Sequence, residues 1–335
     1  MPQDNNPLFL GCGGETIMHM QNCERLRNHL RTRGAGAALL SNPASITWLT
    51  GYAAPLQIGA SPFEGGPPIL WWRGDEATLL LSDVESGAGA LTQASVRSYV
   101  GYSVDEPLAC ARRAVDALGD LLKPFKRLTG AVDVEMEWLP VTFWQAIQAA
   151  LPSAQCRPLG ETLTPLRAVK CREELDNVRA ALKLCDLAHA WMSRAVAPGK
   201  SEIGLWGGMK AEIEMAVGGR VPILADLIGG PRTADEGGGP SSYILQRGDV
   251  AIFDISPRLD GYWGDSASTF FVGEPDALLA RAYRAVHSSL VRGMDAIRPG
   301  ARVSDIDRLM RESIRADGFP VYPHHSGHGI GCTYE

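Results

Sequence analysis

A pair of apolar runs that turn back on each other, each carrying one carboxylate, constrains this chain more than any other feature. Val250 to Ile255 is apolar apart from Phe253's neighbour Asp254 and is bounded by Gly248-Asp249; Tyr262 to Val272 is a second run rich in aromatic and β-branched residues. Between them stands Asp260-Gly261, a dipeptide suited to a two-residue hairpin turn because both positions need positive φ. With that turn, Leu259 faces Tyr262, Ser256 faces Asp265, and Asp254 lies one diagonal step from Asp265 on the same face. Diagonal neighbours have Cβ atoms roughly 7–8 Å apart or somewhat less, and two carboxylates at that separation can hold metal ions about 3.5–4 Å apart. An aspartate in an apolar hairpin must be paired, hydrogen-bonded or metal-bound. The pair alone leaves those readings open, together with that of ordinary loop and edge carboxylates.

A histidine block follows. His324, His325 and His328 fall within five positions, three of the seven histidines in the chain. Glycines on both sides of His328, in Gly327-His328-Gly329, let backbone approach a ligand and leave the imidazole open. Two aspartates and a histidine suit manganese, cobalt, iron or zinc better than magnesium.

On these residues the chain resembles the pita-bread metallohydrolases: methionine aminopeptidase, aminopeptidase P, prolidase and creatinase. The family pattern of an aspartate, then Gly-Tyr, then a second aspartate eleven residues on is met by Asp254, Gly261-Tyr262 and Asp265. The resemblance implies that Asp254 chelates one ion, Asp265 bridges two, and His328 binds the other, with manganese expected first and cobalt, zinc or iron as alternatives. His324 is similar in position to a substrate-facing histidine of aminopeptidase P, and is the candidate for stabilising a tetrahedral intermediate. Upstream, the helix Arg25 to Arg33, Gly34, the strand Ala37 to Leu40, Asn42-Pro43 and the block Leu49-Thr50-Gly51-Tyr52 resemble the opening of the creatinase-type N-terminal domain. Leu166 to Lys170 followed by Glu173-Glu174-Leu175 is similar to the joint entering the catalytic domain. The implied fold is an α/β N-terminal domain over residues 17–160 and an α+β pita-bread domain over 161–335, behind a flexible tail at 1–16. The implied activity is hydrolysis of a peptide or amide C–N bond by a metal-bridging hydroxide, in the manner of Xaa-Pro peptidases. The alternatives are a metal-independent, creatinase-like hydrolase of a small nitrogenous metabolite and a non-catalytic scaffold.

Three departures qualify the resemblance. The chain ends at Glu335, seven residues after His328, whereas the family draws two further glutamate ligands from later strands. The expectation is therefore a truncated version of a longer protein, with a metal-poor variant as the alternative. Proline-handling members carry a histidine at the position that falls on Gly237, and its replacement weakens strict Xaa-Pro specificity. The run Asp235-Glu236-Gly237-Gly238-Gly239 then reads either as a flexible turn with two solvated acids or as room for a bulkier substrate, with Asp235 or Glu236 facing a cationic group. Finally, Asp265 is followed by Ser266-Ala267-Ser268-Thr269 where the family often has Thr-Arg-Thr.

Composition narrows the partners. A net charge of −6 with no basic block argues against nucleic acid and anionic membrane, and no apolar run approaches the roughly 20 residues of a membrane helix. Seven cysteines without a CxxC pair read as reduced thiols in a cytoplasmic protein, Cys332 among them either as a small buried hydrophobe or as a sensor of metal or oxidant. Helical patterns at Asp105 to Leu122 and Pro140 to Leu151 alternate with strands at Ile69 to Trp72, Thr78 to Leu81 and Ala131 to Val134, as in an α/β layer. Arg157 to Pro165, with two prolines and a glycine, reads as the linker. Glu173 to Val196 places Leu175, Val178, Leu182, Cys185 and Met192 on one helical face. Helices starting at Ser201-Glu202, Asp276 and Ser304 follow. The resemblance adds a homodimer acting on a peptide or small amide.

Overall fold

The computed structural model describes residues 19–55, 65–89, 94–235 and 237–334. The tail expected at 1–16 and Glu236 lie outside them. The chain divides into two compact units. The first takes the residues up to Ala181 together with Arg258–Trp263 and Gly331–Tyr334, and the second takes Leu182–Pro257 and Gly264–Ile330.

In the first unit, helix α1 (Met20–Thr32) leads through Gly34, at φ 66°, into strand β1 (Ala35–Leu40). Asn42 then caps α2 (Pro43–Thr50), its side chain accepting from the Ala44 amide at 2.9 Å, and Gly51 ends the helix in the left-handed region. An Asn-Pro start and a glycine stop are the local chemistry a short helix needs. Strands β2 (Ile69–Arg73) and β3 (Glu76–Ser82), helix α3 (Asp83–Gly89), strand β4 (Ser95–Tyr99), helix α4 (Cys110–Leu122), strand β5 (Gly130–Val134), helix α5 (Val141–Ala150), strand β6 (Ala154–Pro158) and helix α6 (Thr164–Ala168) complete the unit. The sheet runs β4-β3-β2-β1-β5-β6, antiparallel at β1–β2 and β2–β3 and parallel elsewhere. One face packs Leu39, Ile69, Trp71 and Val132 against Leu118, Phe143 and Ile147 of α4 and α5.

Two expectations are corrected here. The supposed linker at Arg157 to Pro165 is structured. Arg157 and Pro158 close the edge strand β6, where a proline costs no ladder bond on its open side, and Arg157 reaches Asp133 at 2.9 Å. The rest forms a 3-10 turn, Gly160–Leu163, and the start of α6. Helix α4 begins at Cys110 rather than Asp105, because Pro107 disfavours helical geometry in the residue before it.

Helix α7 (Arg172–Ala195) belongs to both units. Its buried stripe is Val178, Ala181, Leu184, Cys185, Ala188 and Met192, while Leu175 is 41% exposed and Leu182 only half-buried. The small alanines, not the leucines at the margins, hold the centre of the face.

The second unit continues with α8 (Glu202–Val217), capped by Ser201 and stopped at Gly218, then β7 (Ile223–Gly229), β8 (Val250–Leu259), β9 (Tyr262–Trp263), β10 (Ser266–Phe271), α9 (Ala277–Ala296) and α10 (Val303–Ala316). Its sheet is antiparallel throughout, in the order β10-β8-β7. Among the described residues, no helix is long and apolar enough to cross a membrane.

Candidate metal centre

The turn sets the register. Asp260 and Gly261 have φ of 49° and 85°, and Asp260 is the only non-glycine with positive φ among the described residues. Leu259 pairs with Tyr262, Ile255 with Ser266, and Asp254 with Ala267. The counting made from the sequence therefore holds. Gly261 is required on a second ground, since a Cβ there would lie 2.5 Å from Thr47 Cγ2. The second arm is not continuous. Gly264 and Asp265 interrupt it, the Gly264 amide donating to Pro257 O at 2.9 Å, and Asp265 stands at the entrance to β10.

Alternation along β8 sorts the two faces. Phe253 and Ile255 are fully buried in the core, and Asp254 and Ser256 point the other way. Ser256 Oγ donates to Asp265 Oδ1 at 3.3 Å. Asp254 Oδ1 is buried and, among the described residues, has no hydrogen-bond partner. Burial, then the negative charges of Asp265 and Asp226, push the Asp254 carboxyl up to about 6. Burial and neighbouring negative charge both favour the neutral form of a carboxyl, and a cation beside it would favour the charged form.

His328 is brought to the same face. Its Nε2 lies 2.9 Å from Asp265 Oδ2, and its Nδ1 is 3.0 Å from Gly329 O. The segment that carries it is anchored from α10. Arg311, paired with Asp307 at 2.7 Å, donates to Tyr322 O and His324 O, and Ser326 Oγ donates to Asp307 at 2.5 Å. His324 is exposed, with Nδ1 against His325 O at 2.7 Å and its ring tilted on Tyr322. No contact among the described residues joins it to a carboxylate. His325 stands edge-on to His328 with ring centroids 5.4 Å apart.

One carboxylate beside Asp254 lies outside the residues singled out from the sequence. Asp226 of β7 is the register partner of Asp254, which puts a third carboxylate in the row. The signal was available: Asp226 is the lone charge within the apolar run Ile223–Ile228. The glycine run after it is tethered rather than a free turn, with the Leu227 amide donating to Gly238 O at 3.1 Å and Arg232 Nη2 to Gly239 O at 3.0 Å.

Among the described residues, no three His, Cys, Asp or Glu side chains converge as a finished cage. The donor set nonetheless fits a divalent ion on the observation of the orphaned Asp254 oxygen, flanked by carboxylates instead of donors. Asp254, Asp265 and His328 are the residues that would hold it.

Comparison with known proteins agrees in kind. The family model of the creatinase/prolidase N-terminal domain matches residues 23–169, and that of metallopeptidase family M24 matches residues 176–335. A probable dipeptidase PepE of Mycobacterium tuberculosis is 30% identical over 220 residues, 62% of this chain and 58% of its own length. The chain thus spans less than two thirds of that relative. An Xaa-Pro dipeptidase of Lactobacillus delbrueckii subsp. lactis is 25% identical over 319 residues, 92% of this chain and 82% of its own. Among solved structures, the X-Pro aminopeptidase from Thermotoga maritima superposes with a TM-score of 0.75 at 20% identity, covering 93% of this chain and 82% of that one.

Proposed function

The chain belongs to metallopeptidase family M24, with a creatinase/prolidase N-terminal domain ahead of a pita-bread catalytic domain, and from that premise we propose that it is a metal-dependent hydrolase of peptide or amide C–N bonds, of the Xaa-Pro dipeptidase and aminopeptidase type. The observation that carries the reading is the buried Oδ1 of Asp254, without a partner among the described residues, beside Asp265, with His328 already on Asp265. The family typically uses a binuclear centre, and bound divalent ions, manganese first by the donor set, supply Lewis acidity toward a carbonyl and acidify water near neutral pH.

The protein's own residues do the rest. Asp254 and Asp265 hold position because the Asp260-Gly261 turn fixes their register, and Ser256 orients Asp265 through its hydroxyl. His328 is delivered by a loop that α10 pins through Arg311 and Asp307. His324, exposed on the same loop, is the group available to donate to a developing oxyanion once its Nδ1 leaves His325 O. Six described cysteines are free thiols, which supports a reducing, cytoplasmic setting.

Asp265→Ala in the full chain is expected to abolish both uptake of manganese and turnover of Xaa-Pro dipeptides. Full activity after that change would sink the assignment. A second reading, creatinase-like hydrolysis of a small nitrogenous metabolite without metal, draws on Gly237, where no side chain is available to donate to substrate. Turnover that survives a chelator would favour it.

A further inference from the structure

Asp226 lies on β7, outside the hairpin and the histidine block. Directly paired residues of antiparallel strands project to one face with Cβ atoms about 4.5–5.5 Å apart, and Asp226 pairs directly with Asp254. Asp254 therefore has a carboxylate on either side, Asp265 toward β10 and Asp226 on β7. Among the described residues, Asp226 meets no ion-pair or hydrogen-bond donor, and the Asp254 oxygen Oδ1 is equally without one.

The backbone opposite leaves space for this carboxylate. A Cβ on Gly237 would lie 2.4 Å from Asp226 Oδ2, so the position is a glycine because of close approach rather than because of φ. The loop cannot simply drift away. Leu227 and Arg232 hold the next two carbonyls, and Arg232 is itself paired with the fully buried Glu202, which also accepts from the Gly229 and Ser241 amides at 2.7 and 2.8 Å. A half-buried carboxylate with no donor, beside a second one with an orphaned oxygen, in a space held open by a tethered glycine, is an arrangement completed by a cation.

We infer that Asp226 is a further ligand of the divalent ion held by Asp254. This rests on the metal-centre reading above and deepens it. It makes the Asp254 side of the centre all-oxygen, while the His328 side carries nitrogen. Hard, oxygen-preferring manganese is then favoured on the Asp254 side over softer ions.

The test is calorimetric titration of Mn²⁺ and Co²⁺ into the chelator-stripped full chain, with the visible spectrum of the Co²⁺ form recorded alongside. Asp226→Asn is expected to weaken one of the two binding events by roughly ten-fold or more and to shift the Co²⁺ bands. Gly237→Ala keeps every charge but puts a methyl where the carboxylate sits, and is expected to reproduce the loss. It also carries the test if Asp226→Asn does not fold, as judged by circular dichroism of the stripped protein. Wild-type affinities and spectra in both variants overturn the inference. So does a weakened Asp226→Asn with unshifted Co²⁺ bands, the signature of a charge acting only through space. A wild type that takes up neither ion overturns the metal-centre reading itself, so the two failures are distinct.

Discussion

Asp133 and Glu135 in the first unit and Asp254 in the second are all carboxylates placed on or beside a sheet, yet their surroundings are opposite. Asp133, fully buried, accepts from Arg33 Nε at 2.5 Å and from Arg157 Nε at 3.0 Å. Glu135 accepts from the amides of Ser41 and Asn42 at 3.0 and 2.8 Å and from the Ser45 hydroxyl at 2.5 Å. Burial still pushes the Glu135 carboxyl up, and those three donors pull it back. Asp254 has one oxygen with no partner among the described residues and two carboxylates for neighbours. A buried acid whose oxygens are all met by donors is part of the framework, whereas one left facing other acids is kept for something the chain itself does not supply.

The sharpest way to break this comparison is to remove an acid from each side. Asp133→Ala strands two guanidinium groups and should cost about 3–5 kcal/mol in a urea melt; a loss under about 1 kcal/mol would mean that Arg33 and Arg157 simply turn to water. Manganese at a hundred times its dissociation constant should stabilise the wild type by about 2.7 kcal/mol, and the same addition should leave Asp254→Asn almost unmoved. In the metal-free protein that variant should be the more stable by about 1 kcal/mol, because an amide donates to Asp265 where a carboxylate repels it. Destabilisation of stripped Asp254→Asn would place Asp254 with the framework acids.

How much of this was legible depended on how local the determining chemistry is. The hairpin register could be counted because Asp260-Gly261 is one of the few dipeptides that accept positive φ twice, and every pairing from Leu259–Tyr262 to Asp254–Ala267 follows from it. The helix starts at Ser201 and Asp276 were readable for the same reason, each side chain accepting from an amide three residues on. Asp226 was not, since its register against Asp254 is set by a long connection between β7 and β8 with no turn to count from. Nor was the place of Arg157, whose strand forms because Asp133 and the Arg33 carbonyl wait for it from distant segments. The link between the histidine block and α10, through Arg311 and Asp307, is likewise tertiary.

His189 on α7 tests whether an orphaned atom alone marks a site. Among the described residues its Nδ1 is buried without a partner, as is the Asp254 oxygen, and its Nε2 lies 3.2 Å from Ser266 O. The ring stands edge-on to Phe253 on the core face. Burial lowers its pKa from the ordinary 6.5, so the folded state favours the neutral ring, and an unmet lone pair costs far less there than an unmet charge. The sign of the pH effect follows. Above 6.5 the histidine contributes its full share of stability; as pH falls below 6.5 the unfolded chain takes up a proton that the folded one refuses, and the share is lost. Partial exposure keeps the whole effect under about 1 kcal/mol. The difference between the stability curves of wild type and His189→Gln, measured from pH 8 to about pH 5 where ordinary histidines titrate, should therefore be flat above 6.5 and close in the variant's favour below it. A flat difference throughout would show that the ring is solvated, and a difference that responds to manganese would move His189 from the core to the metal centre.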